Sequence, residues 1–241
     1  MKNVILVQAR VSSSRLPGKV LKDINGTPMI EYLINRLAAV KTCEKVILVT
    51  SDEASDDELE NLMKGKVTIV RGSLNDVLSR FCKAIDQSDF DNVVRITGDC
   101  PFVDPAIIDN IVSIHESNKN DYTSNTLKPT YPDGLDVEVV KKDVLLEVNA
   151  KDLTAFEREH VTPHIYRNTD LYKVENVAYV EDLSHLRITV DEIEDLELAR
   201  IIDKKLSGLK MSFTNIITLL NNNQELREIN SSFERNSGSK E

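Results

Sequence analysis

The sequence predicts an α/β domain of three layers, a mostly parallel sheet with helices on both faces. Short apolar runs alternate with amphipathic helical patterns through the first half of the chain, and a βαβα order of this kind builds parallel sheets. The first run, residues 4–7, has the β-branched character of a buried strand. Directly after it the chain turns polar and basic, with Arg10, Ser12, Ser13, Ser14, Arg15 and Lys19 close together. A loop at the C-terminal end of a parallel strand is where such sheets hold anionic ligands.

The remaining elements follow in order. Pro17-Gly18 forces a turn before Lys19, and a helix begins at Pro28 with Met29, Ile30, Leu33, Ile34 and Leu37 on one face. Strands are expected at 46–50, 66–70 and 93–97, with helices at 56–64, 74–85 and from Pro105 onward. Right-handed crossovers join parallel strands of this kind. The pattern breaks after Ser117 into a polar, turn-rich stretch, and 135–139 then alternates as a strand. Helices are expected at 141–148 and 154–168, the second opened by a Thr154…Glu157 capping box and kinked or divided at Pro163. Strands at 172–180 and 186–190 and helices at 192–206 and 213–220 complete the domain. From residue 230 the composition is Ser, Asn, Lys and Glu, which predicts a disordered tail.

The basic loop is not a familiar phosphate loop. A Walker A motif ending at Gly18-Lys19 needs glycine at 13 and Ser or Thr at 20, where the chain has Ser13 and Val20. No G-x-G-x-x-G follows the strand either, which argues against a dinucleotide site. Backbone N–H groups, two arginines and a lysine nevertheless suit a triphosphate. Asp99 ends the fourth strand in a Gly-Asp-Cys-Pro turn, and Asp191 ends the strand before the 192–206 helix. In a parallel sheet both reach the edge that carries the basic loop. Two carboxylates facing a triphosphate provide what Mg²⁺ needs, and they can share one ion only within about 8 Å of each other. For Asp191 alone, a helix N-cap is an equal reading. Glu194 and Asp195 decorate the first helical turn.

Ala9–Lys19 reads A-R-x-x-S-x-R-L-P-G-K, and this loop resembles the signature of the cytidylyltransferases that make CMP-activated sugars. The nearest likeness is to the bacterial spore coat polysaccharide biosynthesis protein F group, with a further similarity to CMP-Kdo synthetase. RITGDCPFVDP (95–105), PDGLDVEV (132–139), EREHVTP (157–163) and RITVDEIEDL (187–196) continue the resemblance in order to about residue 200.

The resemblance implies a nucleotidyltransferase fold whose sheet has one antiparallel strand, with a small excursion at about 120–185 that serves the sugar pocket and a homodimer contact. It implies nucleotide binding by Ala9, Arg10, Ser12, Ser13, Ser14, Arg15, Lys19, Thr97 and Gly98, with Arg71, Ser73 and Asp76 near base and ribose. It favours Asp99 and Asp191 as Mg²⁺ ligands and Lys19, Arg15 and Asp99 as the catalytic set. Asp133, Asp136 and Glu138 fall on the acceptor-sugar side, and Glu157, Arg158 and His160 serve the sugar pocket or a subunit contact, or merely cover a helix surface. The expected reaction is CTP plus an acidic or modified sugar giving CMP-sugar and pyrophosphate, for surface polysaccharide or glycan synthesis.

Other motifs carry less. Asp89-Phe90-Asp91 matches the D-x-D of nucleotide-sugar enzymes but precedes its strand, at the wrong edge of the sheet. His160 and His164 have i, i+4 spacing, yet Pro163 spoils a zinc-binding helix and no third ligand is evident. The formal charge of −10 argues against a nucleic-acid binder. Cys43, Cys82 and Cys100 form no C-x-x-C pair and suit a reducing, cytoplasmic setting. Neither a signal peptide nor a membrane-spanning run is expected. Two rival readings remain at this level, a glycosyltransferase that consumes a nucleotide-sugar and a non-catalytic nucleotide-binding protein.

Overall fold

The computed structural model describes residues 1–235. The chain opens with β1 (Asn3–Gln8), followed by the basic loop and the hairpin β2 (Asp23–Ile24) and β3 (Thr27–Pro28). Next come α1 (Met29–Leu37), β4 (Lys45–Ser51), α2 (Asp57–Met63), β5 (Thr68–Gly72), α3 (Val77–Ile85), β6 (Asn92–Thr97) and α4 (Pro105–Asn118). The later half holds β7 (Tyr122–Ser124), β8 (Glu138–Lys141), α5 (Lys142–Asn149), α6 (Ala155–His160), α7 (Pro163–Arg167) and β9 (Val174–Asn176). It finishes with α8 (Ile193–Lys205), α9 (Phe213–Asn221) and α10 (Gln224–Glu228).

The main sheet runs β5-β4-β1-β6-β8-β7-β9. All its pairings are parallel except those of β8, which runs antiparallel to both β6 and β7. Period-two alternation along β1 builds both faces. Ile5 and Val7 join one core with α1, α4, α8 and α9, while Val4 and Leu6 join another with α3 and α5. The strand is apolar throughout because neither face meets water.

The strand order reverses at β1. The chain leaves β1 toward β4 and β5, then crosses back to place β6 on the other side. The crevice above the C-terminal ends of β1 and β6 is therefore a topological switch point, where open α/β sheets bind ligands. Gly98 permits close approach there: a Cβ at this position would lie 2.8 Å from the Ala9 Cβ and 3.1 Å from the Gln8 carbonyl.

Several elements differ from the sequence expectation. The predicted strand at 135–139 forms as β8, three residues later. The Asn125 side chain satisfies the Val137 N–H and Leu135 C=O at 2.9 and 2.8 Å, replacing ladder bonds there. The strand expected at 172–180 shortens to Val174–Asn176. Residues 186–190 join no ladder and make one bridge, Asp133 to Arg187. The Asp133 carbonyl accepts from the N–H groups of Ile188 and Thr189 at 2.7 and 3.0 Å. Gly134, at φ +105°, allows this approach, because a Cβ there would come within 2.4 Å of the Thr189 nitrogen. The helix expected over 154–168 is divided into α6 and α7 at Pro163, and Thr154 and Glu157 form the capping box.

The tail expected from residue 230 requires correction. Asn230 is buried, and its side chain donates to the Arg187 carbonyl at 3.2 Å and to Asp195 at 2.8 Å. Residues 230–235 pack on the body, and the rest of that expectation, 236–241, lies outside the described residues.

Candidate active site

The basic loop is held by an acid that no local pattern singles out. Asp56 is fully buried and accepts from the Val11 N–H at 2.7 Å, the Thr50 hydroxyl at 2.8 Å, and the Ser51 N–H and hydroxyl at 2.9 and 2.5 Å. Burial pushes its carboxyl up, but these donors outweigh burial and hold it below the usual carboxylate range. Leu16 plugs the loop into the core, and Gly18 takes a left-handed φ of 68° to open the 3-10 turn at Lys19.

Asp56→Asn should therefore destabilise the fold by about 2–4 kcal/mol, because an amide presents donors where donors already converge. The wild-type contribution is present above the unfolded carboxylate pKa of about 3.9 and is lost as pH falls through the depressed folded value. Urea melts from pH 7 to pH 3 should show a steeper acid loss in the wild type than in D56N. Parallel curves would show that this carboxylate is not coupled to folding.

Lys19 reaches across the crevice. Its Nζ lies 2.9 Å from Asp99 Oδ2 and 2.6 Å from Asp191 Oδ1. Two carboxylates that touch one ammonium lie well inside the roughly 8 Å limit for sharing a cation. Burial opposes Asp99 ionisation, but the Lys19 charge and hydrogen bonding hold its carboxyl well below the usual range. Burial likewise works against the Lys19 ammonium, and the two carboxylates reverse this and raise its pKa.

Asp191 also meets Arg15 at 3.0 Å and Arg187 at 3.3 Å. It is not a helix cap. Glu192 occupies the N-cap of α8, and Asp195 accepts the N–H groups of Asp191 and Glu192, each at 2.9 Å. Asp195 is not surface decoration either. It is buried and accepts two hydrogen bonds from Arg187, at 2.9 and 2.8 Å. Burial raises its carboxyl, but Arg187 and the backbone donors bring it below the ordinary range. Arg187 binds Asp133 at 2.7 Å as well, so one guanidinium orients three aspartates.

The cleft beyond Asp99 has a volume of about 500 Å³. Of the residues expected to form the site, Arg15, Thr97, Asp99, Asp133, Asp136, Glu138, His160 and Asp191 line it. Because β8 is antiparallel, its N-terminal end lies beside the end of β6, with Glu138 opposite Arg95. Glu138 pairs with Arg95 and accepts from the hydroxyls of Tyr122 and Thr162 at 3.0 and 2.6 Å. Burial pushes the Asp136 carboxyl up to about 7, with Asp133, Glu138 and Asp99 adding to the effect and Arg235 opposing it. His160 stacks on Phe156 at 4.3 Å, and burial lowers its pKa. Between His160 and Thr162, Val161 sits at φ 71°, ψ −53° and closes a tight turn with a 2.8 Å bond from the Thr162 N–H to the His160 carbonyl. A β-branched residue in that region is strained, and the turn aims both neighbours at the cleft.

Other expected residues lie elsewhere. Glu157 is occupied by the Thr154 cap and by His164 at 3.1 Å. Arg158 caps the carbonyls of Asn149 and Lys151 at 3.1 and 2.9 Å and approaches Asp76 at 3.6 Å. Neither lines the cleft. Arg71 pairs with Asp57 and Glu60 at 2.7 and 2.5 Å and bonds the Ser51 and Glu53 carbonyls, so it ties β5 to α2. Asp76 caps α3, and the Ser73 hydroxyl accepts from its N–H at 3.2 Å. Ala9 abuts Gly98, Ser12 and Ser14 are exposed on the loop, and the Ser13 hydroxyl accepts from the Leu16 N–H. Arg10 reaches Glu159 of α6 at 3.4 Å. Asp89 pairs with Lys2 on the surface, at the opposite edge.

Arg95, Arg187, Thr162 and Arg235 were not picked out from sequence. For the first two there was a signal, since a lone arginine inside an apolar strand pattern needs carboxylates around it. For Arg235 there was none.

A basic loop and two acids at the switch point of this sheet define a nucleotidyltransferase-type α/β protein. Residues 4–229 match the cytidylyltransferase family model, and the chain belongs to that family. It is similar to spore coat polysaccharide biosynthesis protein SpsF of Bacillus subtilis, with 33% identity over 92% of this chain and 95% of that one. It is 28% identical to an 8-amino-3,8-dideoxy-manno-octulosonate cytidylyltransferase of Shewanella amazonensis, over 82% of this chain and 83% of that protein. A solved cytidylyltransferase from Leptospira borgpetersenii superposes with a TM-score of 0.89 at 31% identity, covering 94% of this chain and 97% of that one. The glycosyltransferase and non-catalytic readings give way to this membership. No helix among the described residues is long and apolar enough to cross a membrane.

Proposed function

We propose that the protein transfers CMP from CTP to a hydroxyl of an acidic or modified sugar, releasing pyrophosphate, for surface polysaccharide or glycan synthesis in the cytoplasm. The observation that carries this reading is the bridge from Lys19 to Asp99 and Asp191 at the switch point. Arg10, Arg15 and Lys19, with the loop amides, would neutralise the β- and γ-phosphates and stabilise the departing pyrophosphate. The acceptor would enter from the Asp133, Asp136 and Glu138 side, so that its hydroxyl meets the α-phosphorus in line with the leaving group. Arg187 would keep Asp191 and Asp133 fixed while negative charge shifts from the acceptor oxygen to the departing pyrophosphate. The base and ribose would sit toward Ser73 and Asp76.

The carboxylates fit Mg²⁺. Among the described residues no cluster of three or more acids, histidines or cysteines could hold a metal by itself. Mg²⁺, however, takes one or two carboxylates and completes its shell with water and phosphate oxygens. A cation already stands between Asp99 and Asp191, the Lys19 ammonium. When bound there, the metal would polarise the α-phosphate and lower the pKa of the acceptor hydroxyl.

Pyrophosphate release tests the reading. CTP, ATP, GTP and UTP should each be offered with Mg²⁺ and a panel of sugar acids that includes 8-amino-3,8-dideoxy-manno-octulosonate. Release is expected with CTP and at least one acceptor. Release of nucleoside mono- or diphosphate from a nucleotide-sugar, with none from CTP, would overturn the reading.

Homodimerisation through the excursion belongs to the same proposal. Val161, Ile165 and Tyr172 of the excursion are buried against α3 and α5 within one chain. A dimer would have to use the more polar surface of residues 153–166. Light scattering at micromolar concentration is expected to give twice the 27.2 kDa chain mass, and a monomer would remove the dimer from the proposal.

A further inference from the structure

The C-terminal segment after α10 crosses back over the site. Asn230 clips it to Arg187 and Asp195, and the Phe233 ring lies 6.0 Å from the Arg187 guanidinium. The segment thereby brings Arg235 to the acceptor side, where its Nη1 donates to the Tyr131 carbonyl at 3.0 Å and its Nη2 pairs with Asp136. Asp136 lines the cleft in company with Asp133, Glu138 and Asp99. Of these, Asp133 is matched by Arg187, Glu138 by Arg95 and Asp99 by Lys19. Arg235 supplies the charge that matches Asp136.

We propose that Arg235 is a positioning residue for acceptor recognition, holding Asp136 as an oriented hydrogen-bond acceptor for the sugar hydroxyls. The inference rests on the CMP-transfer reading and adds to it that the end of the chain helps to build the sugar pocket. A carboxylate fixed by a guanidinium on one oxygen keeps its other oxygen free to read hydroxyl donors. The nucleotide side is left untouched, because Arg235 reaches Tyr131 and Asp136, both on the acceptor side.

The test uses the full chain and the sugar acid of the panel that turns over fastest. Arg235→Gln should raise the KM for that acceptor about 10- to 100-fold, with kcat within a few-fold and the KM for CTP unchanged. Arg235→Lys should recover part of the loss, since it restores charge without the planar fork. Asp136→Asn combined with R235Q should be no worse than D136N alone, because both act through one carboxylate. A wild-type acceptor KM in R235Q, or losses that add in the double variant, would overturn the inference while leaving CMP transfer intact. A wild-type protein inert toward the whole panel would overturn both. Should R235Q melt early, R235K and D136N decide the matter, and matching wild-type KM values in both would overturn the assignment.

Discussion

Asp99→Asn and Asp191→Asn are each expected to lower the rate of pyrophosphate release by orders of magnitude while CTP is still bound. Both carboxylates contact the same ammonium, so a cation between them is held by their combined charge. Asparagine keeps the shape and one oxygen but removes the charge that a hard divalent cation requires. Because the two acids act through one site, the double variant should be little worse than either single one. The fold has reason to survive D191N, since Arg187 keeps Asp133 and Asp195 as partners. Asp89→Asn is the control, expected to be nearly silent because Asp89 faces Lys2 at the far edge of the sheet. Rates at saturating CTP and melting curves for all four proteins check this. Near wild-type turnover in D99N and D191N would remove the carboxylates from the chemistry.

Lys19→Ala should cost about 10²- to 10³-fold in kcat, the scale seen when one preorganised charge-stabilising group is removed. Lys19 extends from the basic loop to the two acids, so in the proposed reaction it can follow charge onto the leaving group. Its removal also leaves Asp99 and Asp191 facing each other without a cation, and two like charges in a half-buried crevice repel. The variant should therefore melt earlier without Mg²⁺ and regain more stability than the wild type when Mg²⁺ is added. Arg15→Ala, by contrast, should mainly raise the dissociation constant for CTP. Arg15 reaches Asp191 and Glu192 from the more exposed side of the loop and does not bridge the two acids. Titration calorimetry with CTP, single-turnover rates and melts with and without Mg²⁺ separate these effects. A Lys19→Ala protein with unchanged kcat would end the leaving-group role.

The site was legible where chemistry and local pattern coincide. Arg10, Arg15 and Lys19 stand out because they crowd the end of an apolar strand, and strand ends are where a parallel sheet leaves room. Asp99 and Asp191 were legible for the same reason, although residues 186–190 join no ladder. The Val190 N–H bonds the Asp99 carbonyl at 2.8 Å and brings the two acids together without a strand pairing. Glu157 and Arg158 misled because polar residues around a histidine read equally well as a pocket or as helix caps. They are caps, since helix termini leave backbone groups that nearby side chains must satisfy.

The sequence by itself determined the strand–helix alternation of the first half of the chain, the two faces of the sheet, and the edge that carries the basic loop. Those features follow from periodicity and from the direction of parallel strands, which are local properties of the chain. Only the tertiary structure decided which charges meet. Asp56 under the loop, Arg187 among three aspartates, Arg95 against Glu138 and Arg235 over Asp136 all join residues that local pattern does not relate. A buried charge is stable only beside its counter-charge, and that pairing is fixed by where distant segments cross in space rather than by their spacing along the chain.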